Sequence, residues 1–281
     1  MKPISVRKIV ARISVAVAIA TAAILAAPVL AGEKDMLLCL PGFPGTSSQA
    51  QPYVDRMLRH LEGELGWPAD SMSGLYVPDE AEGSERLAQA SAGIALVGPS
   101  LYAAHRSRLK MKVIAKVEVS GQGSKTYSVV AAQGGPASVA ELAGKKVSGA
   151  VVHDPRFAAT VLLGGQVAPD AVTFVEESRP LGSLRGVARG KVDAAIVDGA
   201  VLHHMGELDF ADQLKVIHTA EPVPAPAVVV MGEGKQHAGA LKNALVGLCQ
   251  RPEGEQLCKT LTLTAIRSAS NRDYRSLLER Y

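Results

Sequence analysis

The sequence predicts an α/β protein of two lobes, each a mixed sheet flanked by helices, with the chain crossing twice between them. Three observations predict it. Short apolar runs alternate with amphipathic segments, the pattern of sheets covered by helices. Gly134-Gly135-Pro136 breaks the composition, and a second set of similar units begins after it. The 250 of 281 residues that follow the first 31 are enough for two ordinary cores.

Met36 to Leu40 reads as the first strand, and Gly42 to Ser48 as a polar loop. Val54, Met57, Leu58, Leu61 and Leu65 then recur at helical spacing until Gly66 and Pro68 stop the helix. Gly74 to Val77 is a strand, Glu80 to Ala92 a helix, and Ile94 to Val97 a strand ending in Gly98-Pro99-Ser100, where Ser100 can cap the next helix. Lys112 to Val119 and Thr126 to Ala132 read as longer strands around a Gly121-Gln122-Gly123-Ser124 turn.

The second set opens with a short helix and turn over Ala137 to Gly144 and a strand over Lys146 to Val152. Pro155 suits the first turn of a helix running to Leu163. Ala171 to Val175, Asp193 to Val197 and Leu214 to His218 read as strands, with helices over Leu181 to Arg189 and Gly199 to Met205. Pro222, Pro224 and Pro226 stiffen a crossing, after which Val228 to Met231 returns as a strand and helices run to the end. The first lobe therefore takes residues 32–127 and 226–281, the second 128–225, and the crossings near Lys125 to Ser128 and Ala220 to Ala227 form the hinge.

Ahead of these units stands a leader. Lys2, Arg7, Lys8 and Arg12 precede a stretch from Ile13 to Ala31 that has no charge. That order is a secretory signal, residues 1–31, and Val29, Leu30 and Ala31 set cleavage after Ala31. An uncleaved anchor is the alternative, since such a stretch can just span a bilayer. Cys39 lacks the small residues that precede a lipidated cysteine, so a free periplasmic protein is expected.

Losing four of the 30 basic residues with the leader leaves 26 against 27 acids, a net charge of −1. Aromatic residues are 4% of the chain and are not interleaved with basic clusters, which excludes a nucleic-acid partner. In an oxidising compartment the three cysteines allow one disulfide. Cys249 and Cys258 flank a turn between two apolar-periodic segments and are the expected pair, while Cys39 reads as a core residue.

Several stretches together resemble the periplasmic solute-binding proteins of type 2, in the branch of phosphate, phosphite and phosphonate ABC transporters. They are Val-Gly-Pro-Ser-Leu-Tyr at 97–102, Tyr127-Ser-Val-Val-Ala-Ala, Ser138 to Val147, Val187 to Asp198 with its Gly-x-Val-Asp-Ala core, and Asp273-Tyr274. The resemblance spans residues 36–280 and implies the two-lobed fold, a small-molecule ligand and an inner-membrane permease as partner. One departure matters. Where that branch offers Ser-Thr-Ser-Gly to an oxyanion, this chain has His153-Asp154-Pro155-Arg156, with Thr160 a turn later. The likeness therefore implies the fold and the transport role more strongly than phosphonate as ligand.

Ligands in open α/β sheets settle outside the carboxyl ends of strands. Thr46, Ser47 and Ser48 follow the first strand and either grip an anion or simply cap the helix. Tyr76, Ser100 and Tyr102 stand at the next two strand ends, as cleft wall or as core and cap. From the second lobe come His153, Asp154, Arg156 and Thr160. Arg156 reads either as a bidentate anion clamp or as a salt-bridge partner. Asp198 binds an amine or hydroxyl or caps the following helix, and Glu176 and Glu177 end another strand. Neither a metal nor a cofactor is expected. Adjacent His203 and His204 diverge by about 100° on a helix, and Gly98-x-Ser100 lacks the second glycine of a nucleophile elbow, Tyr102 standing there. A monomeric solute-binding protein that closes on a small polar ligand, an oxyanion such as phosphate or phosphonate among the candidates, is the first expectation. A sensory subunit for a membrane kinase, or an enzyme on the same fold, are the alternatives.

Overall fold

The structure is a computed structural model that describes residues 34–281 apart from 42, 44, 90, 91 and 120–122. The leader, its cleavage point and the Gly121-Gln122 half of the expected turn lie outside the described residues. Among those residues no helix is long and apolar enough to cross a membrane.

The chain opens with β1 (Met36–Cys39), α1 (Ser47–Leu65), β2 (Gly74–Val77), α2 (Glu80–Gln89), β3 (Ile94–Val97), α3 (Pro99–His105) and β4 (Lys112–Val119). All of β1 and β3 is buried, because both faces of the sheet are covered. That explains why these strands read as unbroken apolar runs. Thr46 and Gln49 close a reciprocal capping box at the start of α1, and Gly66, at φ 64°, ends it in the left-handed region. Val54, Met57, Leu58 and Leu61 face the sheet, each side chain contributing about 1.5–3 kcal/mol by burial. Buried Glu62 is satisfied by the Asp70 and Met72 amides at 3.1 and 2.7 Å, which ties the following loop to the helix.

Next come β5 (Ser124–Lys125) and β6 (Tyr127–Ala132), β7 (Lys146–Gly149), α4 (Pro155–Phe157), β8 (Thr173–Glu176), α5 (Pro180–Ala188), β9 (Ala194–Asp198), α6 (Gly199–His203) and β10 (Leu214–Thr219). The helix expected from Pro155 to Leu163 forms as α4 and then widens into a π-turn over Ala158–Leu162. The chain ends with β11 (Val223–Pro224), β12 (Ala227–Val230), α7 (Ala238–Val246), α8 (Pro252–Thr260), β13 (Leu263–Ser268) and α9 (Arg275–Arg280).

Two mixed sheets result. The first runs β13-β4-β12-β3-β1-β2 and the second β10-β6-β9-β7-β8. β1, β2 and β3 are parallel, as are β7, β8 and β9. The strands β4 and β6, expected around one turn, belong to different sheets, and the chain crosses between them. β5 and β11 pair antiparallel with Lys125 opposite Val223, forming a ribbon at the two crossings. β13 also departs from the expected run of helices. It lies antiparallel to β4 at the edge of the sheet, and Ile266 is its one buried residue, so it carries too few apolar positions to read as a strand.

One apolar cluster runs from the first sheet into the second, joining Val97, Tyr102 and Tyr274 to Tyr127, Val151 and Phe157. Separate clusters fill the spaces beneath α1, α7 and α8 and beneath α5. Cys249 and Cys258 are disulfide-bonded with Cα atoms 5.5 Å apart, pinning α8 to the turn before it. Cys39 is a buried free thiol whose pKa is pushed up, first by burial and then by Glu80.

Candidate functional site

The carboxyl ends of the parallel strands in both sheets turn toward one another, and the groups that meet there are those that begin α2, α3 and α4. Glu80, the first residue of α2, is 1% exposed. Its carboxylate accepts a hydrogen bond from the Ser100 hydroxyl and one from the His153 amide at 3.2 Å. Its own amide donates to Glu176 Oε1 at 3.1 Å, and Glu176 Oε2 lies 3.5 Å from His153 Nδ1. The two lobes thus join through a carboxyl group that belongs to the chain itself. Burial pushes the Glu80 carboxyl up to about 8; the Ser100 and His153 donors oppose this, while Glu176 and Asp154 add to it. Glu176 is raised too, first by burial and then by Asp79.

A second contact between the lobes lies beside the first. Asp154 caps α4 by accepting from the Arg156 and Phe157 amides at 2.9 and 3.3 Å, and its other oxygen accepts from the Tyr281 hydroxyl at 2.7 Å. Arg156 lies over the Tyr281 ring at 4.4 Å and donates from Nε to a main-chain oxygen of Tyr281 at 2.7 Å. Thr160 returns its hydroxyl to the Arg156 carbonyl at 2.9 Å. Asp198 accepts from the Val201 amide at 3.1 Å, capping α6, and pairs with Lys125 at 3.1 Å. The Lys125 ammonium sits 4.9 Å from the centre of the Phe43 ring, linking the ribbon to the first lobe.

Outside these contacts a groove of about 1270 Å³ takes its walls from both lobes. Thr46 and Ser47 line it at the start of α1, where Thr46 accepts from the Gln49 amide at 3.3 Å and lies 3.0 Å from the Ser48 hydroxyl. The opposite wall carries Lys146, Arg179, Arg185, Arg189 and Lys191 against Glu176 and Glu177. Arg179 pairs with Glu177 at 3.4 Å, whereas Lys146, Arg185, Arg189 and Lys191 have no ion-pair partner among the described residues. This wall is therefore net positive.

The sequence-selected residues divide among these places. Ser100, His153 and Asp154 stand at the junction of the lobes, Arg156 and Thr160 beside it, Asp198 at the ribbon, and Thr46 and Ser47 in the groove. Tyr102 is fully buried against Tyr274, ring centres 4.9 Å apart, and Tyr76 lies beneath α1 on the wall of a smaller apolar pocket. Glu80, Lys125, Phe43 and Tyr281 were not selected. An acid in the first turn of a helix ordinarily faces water, where it favours the helix dipole, so Glu80 gives no local signal. Among the described residues no group of three His, Cys, Asp or Glu side chains is placed to hold a metal ion.

The family model described as the periplasmic substrate-binding protein of a phosphonate ABC transporter matches residues 44–274. No curated protein sequence matches the chain significantly. Among solved structures, a binding component of a phosphonate ABC transporter from Pseudomonas aeruginosa aligns with TM-score 0.62 and 14% identity over 87% of this chain and 84% of its own. A Xanthomonas citri protein bound to ATP aligns at 0.67 and 14%, covering 88% of this chain and 95% of that one. PhnD1 of Prochlorococcus marinus in complex with methylphosphonate aligns at 0.61 and 12%, covering 88% and 97%. At such identities the structural likenesses speak for the fold.

Proposed function

Because the chain belongs to the periplasmic substrate-binding proteins of phosphonate ABC transporters, we propose that it takes an oxyanion-bearing small molecule into the groove between its lobes and presents it, as a monomer, to the membrane permease. The lobes are residues 32–127 with 226–281 and residues 128–225, and the β5–β11 ribbon is the hinge. Cleavage after Ala31 frees the protein into the periplasm, and it binds without catalysis. Closure is driven by the difference in contacts, since a ligand touching both walls favours the closed form over the open one.

The observation that carries this reading is the groove itself, with the start of α1 on one wall and, on the other, four cations that have no ion-pair partner among the described residues. The inner junction is a poorer place for an oxyanion. Its two donors, the Ser100 hydroxyl and the His153 amide, are already engaged by Glu80, and Glu176 and Asp154 surround it with negative charge. The anion therefore sits outward of Glu80.

Isothermal titration with phosphate and methylphosphonate tests the reading. Binding that falls about tenfold or more in Arg185→Ala/Arg189→Ala supports it, a loss expected when charge-assisted hydrogen bonds of about 1.5–3 kcal/mol are removed. If oxyanions gave no heat while neutral or cationic solutes did, the ligand assignment would fail and the fold would stand.

A further inference from the structure

Beneath α1 lies a second pocket of about 260 Å³, between the outer face of the first sheet and the 260–263 segment. Leu38, Leu40, Val54, Met57, Leu96 and Leu261 line it. Its wall also includes Tyr76, which is 6% exposed and whose buried hydroxyl has no hydrogen-bond partner among the described residues. A buried hydroxyl left unpaired is costly, and here it borders a space large enough to hold a guest that would pair with it. Phe43, Gly45 and Gln49 line both this pocket and the groove, so the two cavities share a wall.

We infer that the ligand carries an apolar, ring-bearing arm that lodges in this side pocket beside Tyr76 while its charged head stays in the groove. The position of the head rests on the oxyanion reading above; the pocket for the arm does not. An apolar cavity of about 150 Å³ holds benzene, so this one has room for a ring with a short substituent. Phe43 and Tyr53 present further ring surface within it. The substituent's polar atom is the missing partner of the Tyr76 hydroxyl. Phe43, held beneath Lys125, is the side chain past which the arm enters.

The test uses four probes on the purified protein: p-cresol, toluene, methylphosphonate and benzylphosphonate. Calorimetry with p-cresol reports on the pocket alone. It binds the wild type, and Ala50→Phe, which fills the pocket from α1, weakens it by about tenfold or more. Leu261→Phe fills the same space from the opposite wall and has the same effect, so the result does not depend on one variant folding. Tyr76→Phe weakens p-cresol severalfold while leaving toluene binding unchanged.

Failure of p-cresol to bind the wild type, or equal binding to both filled variants, overturns the side pocket whatever the phosphonates do. Benzylphosphonate binding about tenfold tighter than methylphosphonate joins pocket and groove into one site. Equal affinities overturn that joining. If methylphosphonate does not bind while p-cresol does, the oxyanion reading fails and the pocket stands.

Discussion

Replacing Glu80 by Gln tests whether a buried, ionisable carboxyl joins the lobes. The amide preserves the shape and the contacts: its oxygen can accept from the His153 amide, and its nitrogen can donate to Ser100, whose hydroxyl serves in either role. What it removes is the proton equilibrium. Glu80 is raised from 4.5 to about 8, chiefly by burial. At about 1.4 kcal/mol per unit, that gap limits the penalty for ionising it in the folded protein to the order of 5 kcal/mol.

The sign follows from which state holds the proton. Below pH 4.5 both folded and unfolded chains are protonated at Glu80 and no penalty exists; between 4.5 and about 8 the folded chain keeps a proton that the unfolded chain has released. Stability therefore falls with rising pH across that window and is flat in this respect above it. Urea unfolding of wild type and Glu80→Gln at pH 5, 6.5 and 8.5 reads the effect. The variant gains on the wild type by a few kcal/mol between the first and last pH, which in thermal unfolding of the same samples is a difference of roughly 5–10 °C in midpoint for a chain of this size. A stability difference that did not change with pH would refute the reasoning, because it would mean that Glu80 is already ionised in the folded protein.

The contact between Tyr281 and Asp154 predicts a coupling. Tyr281→Phe should cost about 1 kcal/mol in denaturant unfolding, and almost nothing in an Asp154→Ala background, where its partner is absent. Packing against Cys39 supplies another test. A Cβ added at Gly83 would run into Cys39 Sγ, so Gly83→Ala should destabilise by about 1–3 kcal/mol, and Cys39→Ala should recover most of the loss. Reducing the Cys249–Cys258 disulfide, which closes a loop of sequence separation 9, should lower stability by roughly 2–3 kcal/mol, measured as the shift in thermal midpoint with reductant.

Most of the fold was legible because burial leaves a mark along the chain. β1, β3 and β12 are buried at every position, and their unbroken apolar runs cannot be solvated strands. The Thr46–Gln49 box and Gly66 mark the ends of α1 equally plainly. β13 leaves no such mark, since an edge strand with one buried residue resembles any mixed polar segment. The site was legible only as a location. Strand ends picked out Ser100 and His153, which meet on one carboxylate, but Glu80 lies 73 residues from His153 and 96 from Glu176 in sequence. Only the approach of the two sheets buries it.

That distance in sequence also explains a departure visible from the outset. The branch this chain resembles offers hydroxyls to an oxyanion where His153 and Asp154 stand here. In the folded protein the His153 amide still turns into the junction, and the group it meets is Glu80. A free oxyanion entering there would have to displace the buried Glu80 carboxyl group from its Ser100 and His153 donors and then face Asp154 and Glu176. The inner cleft is a contact between the lobes, while the cations without an ion-pair partner among the described residues line the outer groove. On the oxyanion reading proposed above, the anion lies on the Arg185 and Lys191 side, outward of Glu80, where a small guest such as methylphosphonate would leave most of a 1270 Å³ space to water. A ligand with a second, apolar anchorage would fit that geometry better.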